Sequence, residues 1–395
     1  MDFNICAGFS QHDNVVTAAK EACDQAWAQA DSNRTTVGMI LTTPPYDPQK
    51  VAETIHSALP QVRIFGGTTA GIIFNRNVHR YGVAVILLQS NTTKMQPLHA
   101  MHLNLKDLQE AGEALISDDG QDFGQKDRKF LLFLFDGLLE NMSSFCRGIR
   151  ADLGEFFPIF AAGCSDALNF SQTTQYHNRQ TSSHSACGLL IGGELSSYYA
   201  KRHGWKPLGK PRLVKKTRGN IIEQIADAPA MKIYEEFFQD NLGALKNDVF
   251  GCLTSRYPLG IRQSAGQEYR IHNVMDILED GSLVCQDAVA EGSEIHIMIG
   301  NKASCLQSAS EAVDDLKKFL EDTPVRALFI LESAARWQIL KHSWNEEINI
   351  ITKAFDESVP VIGLLTYGEI FAPGNWRYPG QAHLENGNIV LLAIV

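Results

Sequence analysis

Val62-Arg-Ile-Phe-Gly-Gly-Thr-Thr-Ala-Gly71 is an apolar run that ends in glycines, and its grammar returns twice along the chain. The other copies are Phe157-Pro-Ile-Phe-Ala-Ala-Gly-Cys-Ser-Asp166 and Val359-Pro-Val-Ile-Gly-Leu-Leu-Thr-Tyr-Gly-Glu369. Pro60, Pro158 and Pro360 stand just before or inside the start of each run. There a proline ends the preceding helix without removing a donor from a central ladder. Upstream of each run lies an apolar strand and an amphipathic segment: Val37–Leu41 with Pro48–Leu59, Lys129–Phe135 with Asn141–Leu153, and Arg326–Leu331 with a helix around Asn345–Phe355. Downstream a glycine introduces a further strand: Gly82–Leu88, Gly188–Gly192 and Gly387–Val395.

A continuous apolar run followed by a helix of crossover length and a second such run is the pattern of parallel strands buried on both faces. Three copies in order make the expected fold α/β, with two domains built from repeated β-α-β-loop-β units and mixed sheets. The texture changes at the basic stretch Lys206–Arg218, which reads as a solvated connector more readily than as a phosphate-binding patch. The expected domains are therefore residues 1–205 and 206–395. In the second, Tyr269–Met275, Ser282–Cys285 and Glu294–Ile299 read as strands, Ala228–Phe238 and Ser304–Glu321 as helices.

Composition narrows the function. The 395 residues are 44% hydrophobic and 20% charged, with a formal charge of −10, which opposes non-specific attraction to nucleic acid or anionic lipid. No apolar stretch approaches the roughly 18–20 residues of a membrane span, and Met1-Asp2-Phe3-Asn4 does not begin a secretory signal, so a cytoplasmic protein is expected. Its eight cysteines include no C-x-x-C pair, so they read as small buried hydrophobes rather than zinc ligands or redox dithiols.

Catalytic motifs are missing: the chain has no G-x-S-x-G, P-loop, H-E-x-x-H or strand-borne G-x-G-x-x-G. Glu369 could serve as a general base, but a carboxylate at a strand end more often closes a hydrogen bond or ion pair. Cys164 has no adjacent histidine or cation to lower its pKa, which favours buried packing. A binding protein is expected, not an enzyme.

Taken together, Phe65–Gly71, Gly163–Asp166, Gly204-Trp-Lys-Pro-Leu-Gly209, Tyr257-Pro-Leu-Gly260 and Tyr367–Ile370 resemble the FIST (F-box and intracellular signal transduction) sensory family over almost the whole chain. The resemblance implies an intracellular sensor of a small ligand, working with a histidine kinase or a cyclic-dinucleotide enzyme. Stand-alone members that it resembles bind haem b and sense nitric oxide for a partner histidine kinase. Where many members carry Cys-x-x-Arg, this chain has Ser333-Ala-Ala-Arg336, which keeps a guanidinium for an anionic group and excludes thiol chemistry.

The expected ligand-binding residues are the three strand ends, Gly66, Gly67, Thr68 and Thr69, Gly163 and Asp166, Tyr367, Gly368 and Glu369, together with Arg336. A polar metabolite such as an amino acid is the alternative ligand, held by Arg336, Glu369 and the glycine-rich backbone, and an enzyme using the interdomain cleft is the third reading. For haem the candidate axial ligands are His184, His272 and His296, although a strand histidine among apolar residues is more often a satisfied core group.

Overall fold

The apolar runs are central strands, and the order in which they pair decides where any site can lie. A computed structural model describes residues 2–119, 124, 127–238, 256–263, 268–371 and 382–395. In the first copy, β1 (Phe3–Ser10), β2 (Thr36–Thr42) and β3 (Arg63–Thr68) precede a hairpin of β4 (Ile72–Phe74) and β5 (Asn77–His79), then β6 (Val83–Ser90). The second repeats this as β7 (Lys94–Ala100), β8 (Arg128–Asp136), β9 (Ile159–Cys164), the hairpin β10 (Gln175–His177) and β11 (Gln180–Ser182), and β12 (Ala186–Gly192). The third opens with β13 (Ser197–Arg202).

An antiparallel unit of β14 (Lys206–Arg218), β15 (Ile221–Ile225), β16 (Ala228–Pro229), β17 (Leu259–Ile261), β18 (Arg270–His272), β19 (Val274–Ile277), β20 (Leu283–Cys285) and β21 (Glu294–Ile299) interrupts that copy. The copy then resumes with β22 (Ala327–Ser333), β23 (Val361–Thr366), the hairpin β24 (Glu369–Phe371) and β25 (His383–Glu385), and β26 (Ile389–Ile394). The basic stretch expected to be a connector is thus a strand, exposed on most of its length, that joins the inserted sheet.

Each copy builds a sheet of the same order, with one exchange. The sheets run β1-β6-β2-β3, β7-β12-β8-β9 and β13-β26-β22-β23, and each is extended by a hairpin from another copy: β10-β11, β24-β25 and β4-β5 respectively. The parallel pairs β2–β3, β8–β9 and β22–β23 align Thr68, Cys164 and Thr366 at one register position. Cyclic exchange of hairpins gives the body a pseudo-threefold arrangement. Strand pairing crosses residue 205 in both directions, since β13 pairs with β26, β4 with β23 and β24 with β9.

Burial follows from this order. One face of each of the three repeat sheets feeds a common centre, where Met39, Phe65, Phe130, Phe160, Phe329 and Leu392 pack. The outer faces are covered by helices of each copy: Val15–Trp27 with Pro48–Ala58, Leu108–Asp119 with Met142–Leu153, and Lys302–Leu320 with Trp344–Thr352. Strands covered on both sides need apolar residues at every position, which is why they read as unbroken runs. Asn14 and Asp47 cap two of these helices through their side-chain oxygens, and Asn301 with Ser304 forms a capping box on a third. The inserted sheet has its own core and meets the third copy through Trp205, Ile271, Met298 and Cys305.

Candidate functional site

The ends of β3, β9 and β23 converge, so nine of the ten ligand-binding residues expected from sequence lie in one region. Thr69 Oγ1 donates to the carbonyls of Gly71 and Leu365, each at 2.8 Å. Ser165 donates to the same Leu365 carbonyl and accepts from Ala70 N at 2.8 Å. Three copies are knotted there by two hydroxyls. Close approach of strands requires the glycines: a Cβ on Gly67 would stand 2.2 Å from Cys164 Sγ, and one on Gly163 would stand 2.7 Å from the Tyr367 carbonyl. The Gly66 carbonyl accepts from Cys187 Sγ, and Thr68 Oγ1 accepts from Thr174 N at 3.0 Å. Gly368 has φ +108°, a conformation suited to glycine. Gly66 to Thr69 and Gly163 therefore hold the strands together, and their polar atoms meet protein rather than an opening.

Asp166 organises the loop beyond β9. Its carboxylate accepts from the backbone N–H groups of Asn169, Phe170, Ser171 and Gln172, and from Tyr367 OH at 2.6 Å. Burial works against its charge, but the hydrogen bonds from Tyr367 and the loop outweigh it and hold the carboxyl below its usual range. Phe170 stacks on Tyr367 with centroids 4.3 Å apart. The wrapped loop presents Leu168 to Ala70, Leu365 and Trp337.

Beside that loop is a cleft of about 250 Å³ lined by Arg80, Leu168, Trp337, Lys341, His342 and Trp344. All three copies contribute to it. Trp337 and Trp344 lie 5.3 Å apart at 41°, and the Arg80 guanidinium sits 5.0 Å from the Trp337 ring centre. The Trp337 indole N–H is buried with no hydrogen-bond partner. Sequence reading missed this cleft. The available signal was two of the chain's five tryptophans within eight residues, the first directly after Arg336.

Arg336 and Glu369, read from sequence as clamps for a polar metabolite, are both turned inward. Arg336 is fully buried, paired to Glu347, and donates to the carbonyls of His203 and Cys305. Burial, the largest influence, opposes its charge, but Glu347, Cys305 and Glu332 together outweigh it and raise the guanidinium above its ordinary range. Glu332 lies in the same enclosed space; burial first, and then the charge of Glu347 and a hydrogen bond to it, hold its carboxyl well above the usual range. Glu369 accepts from Thr366 Oγ1 and Asn388 Nδ2, and burial pushes it up to about 8. This is an internal polar cluster. It offers no face to a ligand.

The three candidate haem histidines are far apart in role. His184 is exposed on a turn where its backbone N–H bonds Asp136 at 2.8 Å. His272 and His296 are buried in the inserted sheet, each with one ring nitrogen lacking a partner. Burial lowers the pKa of both. None of the three lines the tryptophan cleft; His342 does. Among the described residues no three His, Cys, Asp or Glu side chains gather as a metal site, and no helix is long and apolar enough to cross a membrane. The described cysteines are all free and buried, and Cys252 lies outside the described residues.

Comparison with solved structures finds low-identity likenesses across the whole chain. A cyanuric acid hydrolase is 7% identical with a TM-score of 0.35, both chains being covered in full. The cyanuric acid hydrolase from A. caulinodans is 8% identical with a TM-score of 0.33, and a chorismatase is 10% identical with a TM-score of 0.36, each over all of this chain and 99% of the other. No curated protein matches the chain. The FIST N domain model matches residues 36–228 and the FIST C domain model residues 230–372. Together the two matches take in the strand ends, the Asp166 loop and both tryptophans, and the chain belongs to the FIST family of sensory domains of signal transduction.

Proposed function

We propose that this chain senses a planar aromatic anion bound in the Trp337–Trp344 cleft. The observation that carries the reading is the cleft's composition: two indoles offer flat apolar faces, while Arg80, Lys341 and His342 supply positive or donating groups at its rim. Ligand there would touch Leu168 on the Asp166 loop and Trp344 on the neighbouring helix, so binding would bias the packing of two copies at once.

Haem b belongs to this ligand class, and family resemblance brings it forward with nitric oxide as the signal and a histidine kinase or cyclic-dinucleotide enzyme as the cytoplasmic partner. If haem bound there, His342 would hold its iron and Arg80 with Lys341 would meet its propionates. Bound ferrous haem would supply the iron that takes nitric oxide. The cleft is smaller than the roughly 300 Å³ at which drug-sized pockets begin, so a ring of that size would be gripped at one side. The inward commitment of Arg336 and Glu369 supports neither an amino-acid clamp nor catalysis by Glu369. Protein from haem-supplied cells, followed by haemin titration, tests the haem reading: a Soret band and one equivalent bound support it, and their absence removes haem while leaving smaller aromatic anions to a thermal-shift screen.

A further inference from the structure

A second site lies where the helix Met142–Leu153, β18 and β25 meet. Ser143, Arg147 and Arg150 recur at spacings of four and three, so they share the helix face turned to β25. That face is fixed by Leu384 N, which donates to Ser143 Oγ at 2.9 Å. On the other side Asn386 N donates to the Ile271 carbonyl at 3.0 Å, which lays β18 and its flanking Arg270 and His272 alongside the end of β25. His383 stands at the start of β25, between the two arginine-bearing elements.

The charges there are unbalanced. Lys201 is neutralised by Glu385, its partner at 2.5 Å, and Asp287, bonded by the Ser143 hydroxyl, is a single carboxylate facing both Arg270 and Arg147. Arg147 donates to Ser144 Oγ at 2.6 Å and, like Arg270, has no carboxylate within ion-pair distance among the described residues; Arg270 Nε and His272 Nε2 are buried without a hydrogen-bond partner. His272 is only 1% exposed, whereas Arg147 reaches solvent, so the cluster has an inner wall and an open side. Burial, then Arg270, Arg150, Arg147 and Lys201, push the His383 imidazole down to about 4, as a ring ringed by cations must be.

We infer that Arg147, Arg270, His272 and His383 form a binding site for a compact oxyanion carrying two or more charges, a phosphate ester or a dicarboxylate. Guanidinium forks match both groups with paired hydrogen bonds. The site is separate from the tryptophan cleft and joins the inserted sheet to the second copy, so occupancy there ties two parts of the molecule together.

The test is calorimetric titration of the full chain with inorganic phosphate, pyrophosphate and malonate at fixed ionic strength, alongside Arg147→Gln and Arg270→Gln. Saturable binding of at least one probe, weakened about tenfold or more by each substitution, is expected. Preference for pyrophosphate over malonate assigns a phosphate ligand, and the reverse a carboxylate. Because Arg147 is exposed, its variant keeps the test valid even where Arg270→Gln fails to fold. As a second readout, the probe that binds raises the His383 pKa, followed by NMR, by about one unit or more. No saturable binding of any probe, equal binding by Arg147→Gln, or an unmoved His383 overturns the site.

Discussion

Thr69 and Leu365, 296 residues apart, are bonded in both directions: Thr69 Oγ1 donates to the Leu365 carbonyl at 2.8 Å, and Leu365 N donates back at 3.0 Å. One hydroxyl thus locks the first copy to the third at the point where Ser165 brings in the second. The strand ends that looked like a ligand cradle are the fastening of the pseudo-threefold body, and the cleft for a ligand sits beside the fastening. Any change in the Asp166 loop or in Trp337 is therefore felt at a contact shared by all three copies.

Thr69→Val keeps the shape and removes the hydroxyl, leaving the Leu365 carbonyl with one donor fewer. A loss of about 2 kcal/mol in unfolding free energy is expected, measured by urea denaturation. Thr69→Ser retains the donor and should lose less.

Gly67→Ala places a methyl 2.2 Å from Cys164 Sγ. Overpacking of this kind costs about 1–3 kcal/mol. Cys164→Ala vacates that space, so the double variant should be more stable than additivity of the two single variants requires, as a double-mutant cycle will show.

Two sets of carboxylates give opposite pH dependences. Asp166 has a folded pKa below its unfolded one, so its contribution is complete above about pH 4 and is lost as the pH falls further. Glu369, pushed up to about 8, keeps its proton in the fold where the unfolded chain would release it. Stability should thus decline as the pH rises from about 4.5 to 8, by an amount on the order of 5 kcal/mol for this group alone, and then level. Glu369→Gln should flatten that decline in denaturation curves taken across the range. Glu332 acts in the same direction.

Arg336→Met leaves Glu347 buried without its cation. Breaking such a pair costs about 3–5 kcal/mol, so Tm should fall steeply. Arg336→Met with Glu347→Leu removes both charges and should recover much of the loss, although Glu332 remains.

Much of the body was legible because each copy writes its strands as unbroken apolar runs. Glu294–Ile299 coincides with β21, and the helices read at Asn141–Leu153 and Ser304–Glu321 fall at Met142–Leu153 and Lys302–Leu320. The hairpin exchange was not legible. Ile72–Phe74 is three residues long, and nothing local says that its partner is β23, nearly 300 residues on. The first strand of each copy also escaped, since Phe3–Ser10 and Lys94–Ala100 mix buried positions with partly or fully exposed ones. Arg336 was singled out correctly as a residue with a task, but its partner Glu347 is eleven residues away across a helix break, beyond any helical spacing. Pattern alone therefore could not tell an internal ion pair from a ligand clamp.

The most direct test of the sensor reading is a haemin titration, followed by absorbance and tryptophan fluorescence, of the native chain and of Trp337→Ala and His342→Ala. Saturable binding with quenching, weakened about tenfold or more by each substitution in proteins that keep their fold, is the expected result. Unchanged affinity in both variants would contradict the cleft as the binding site.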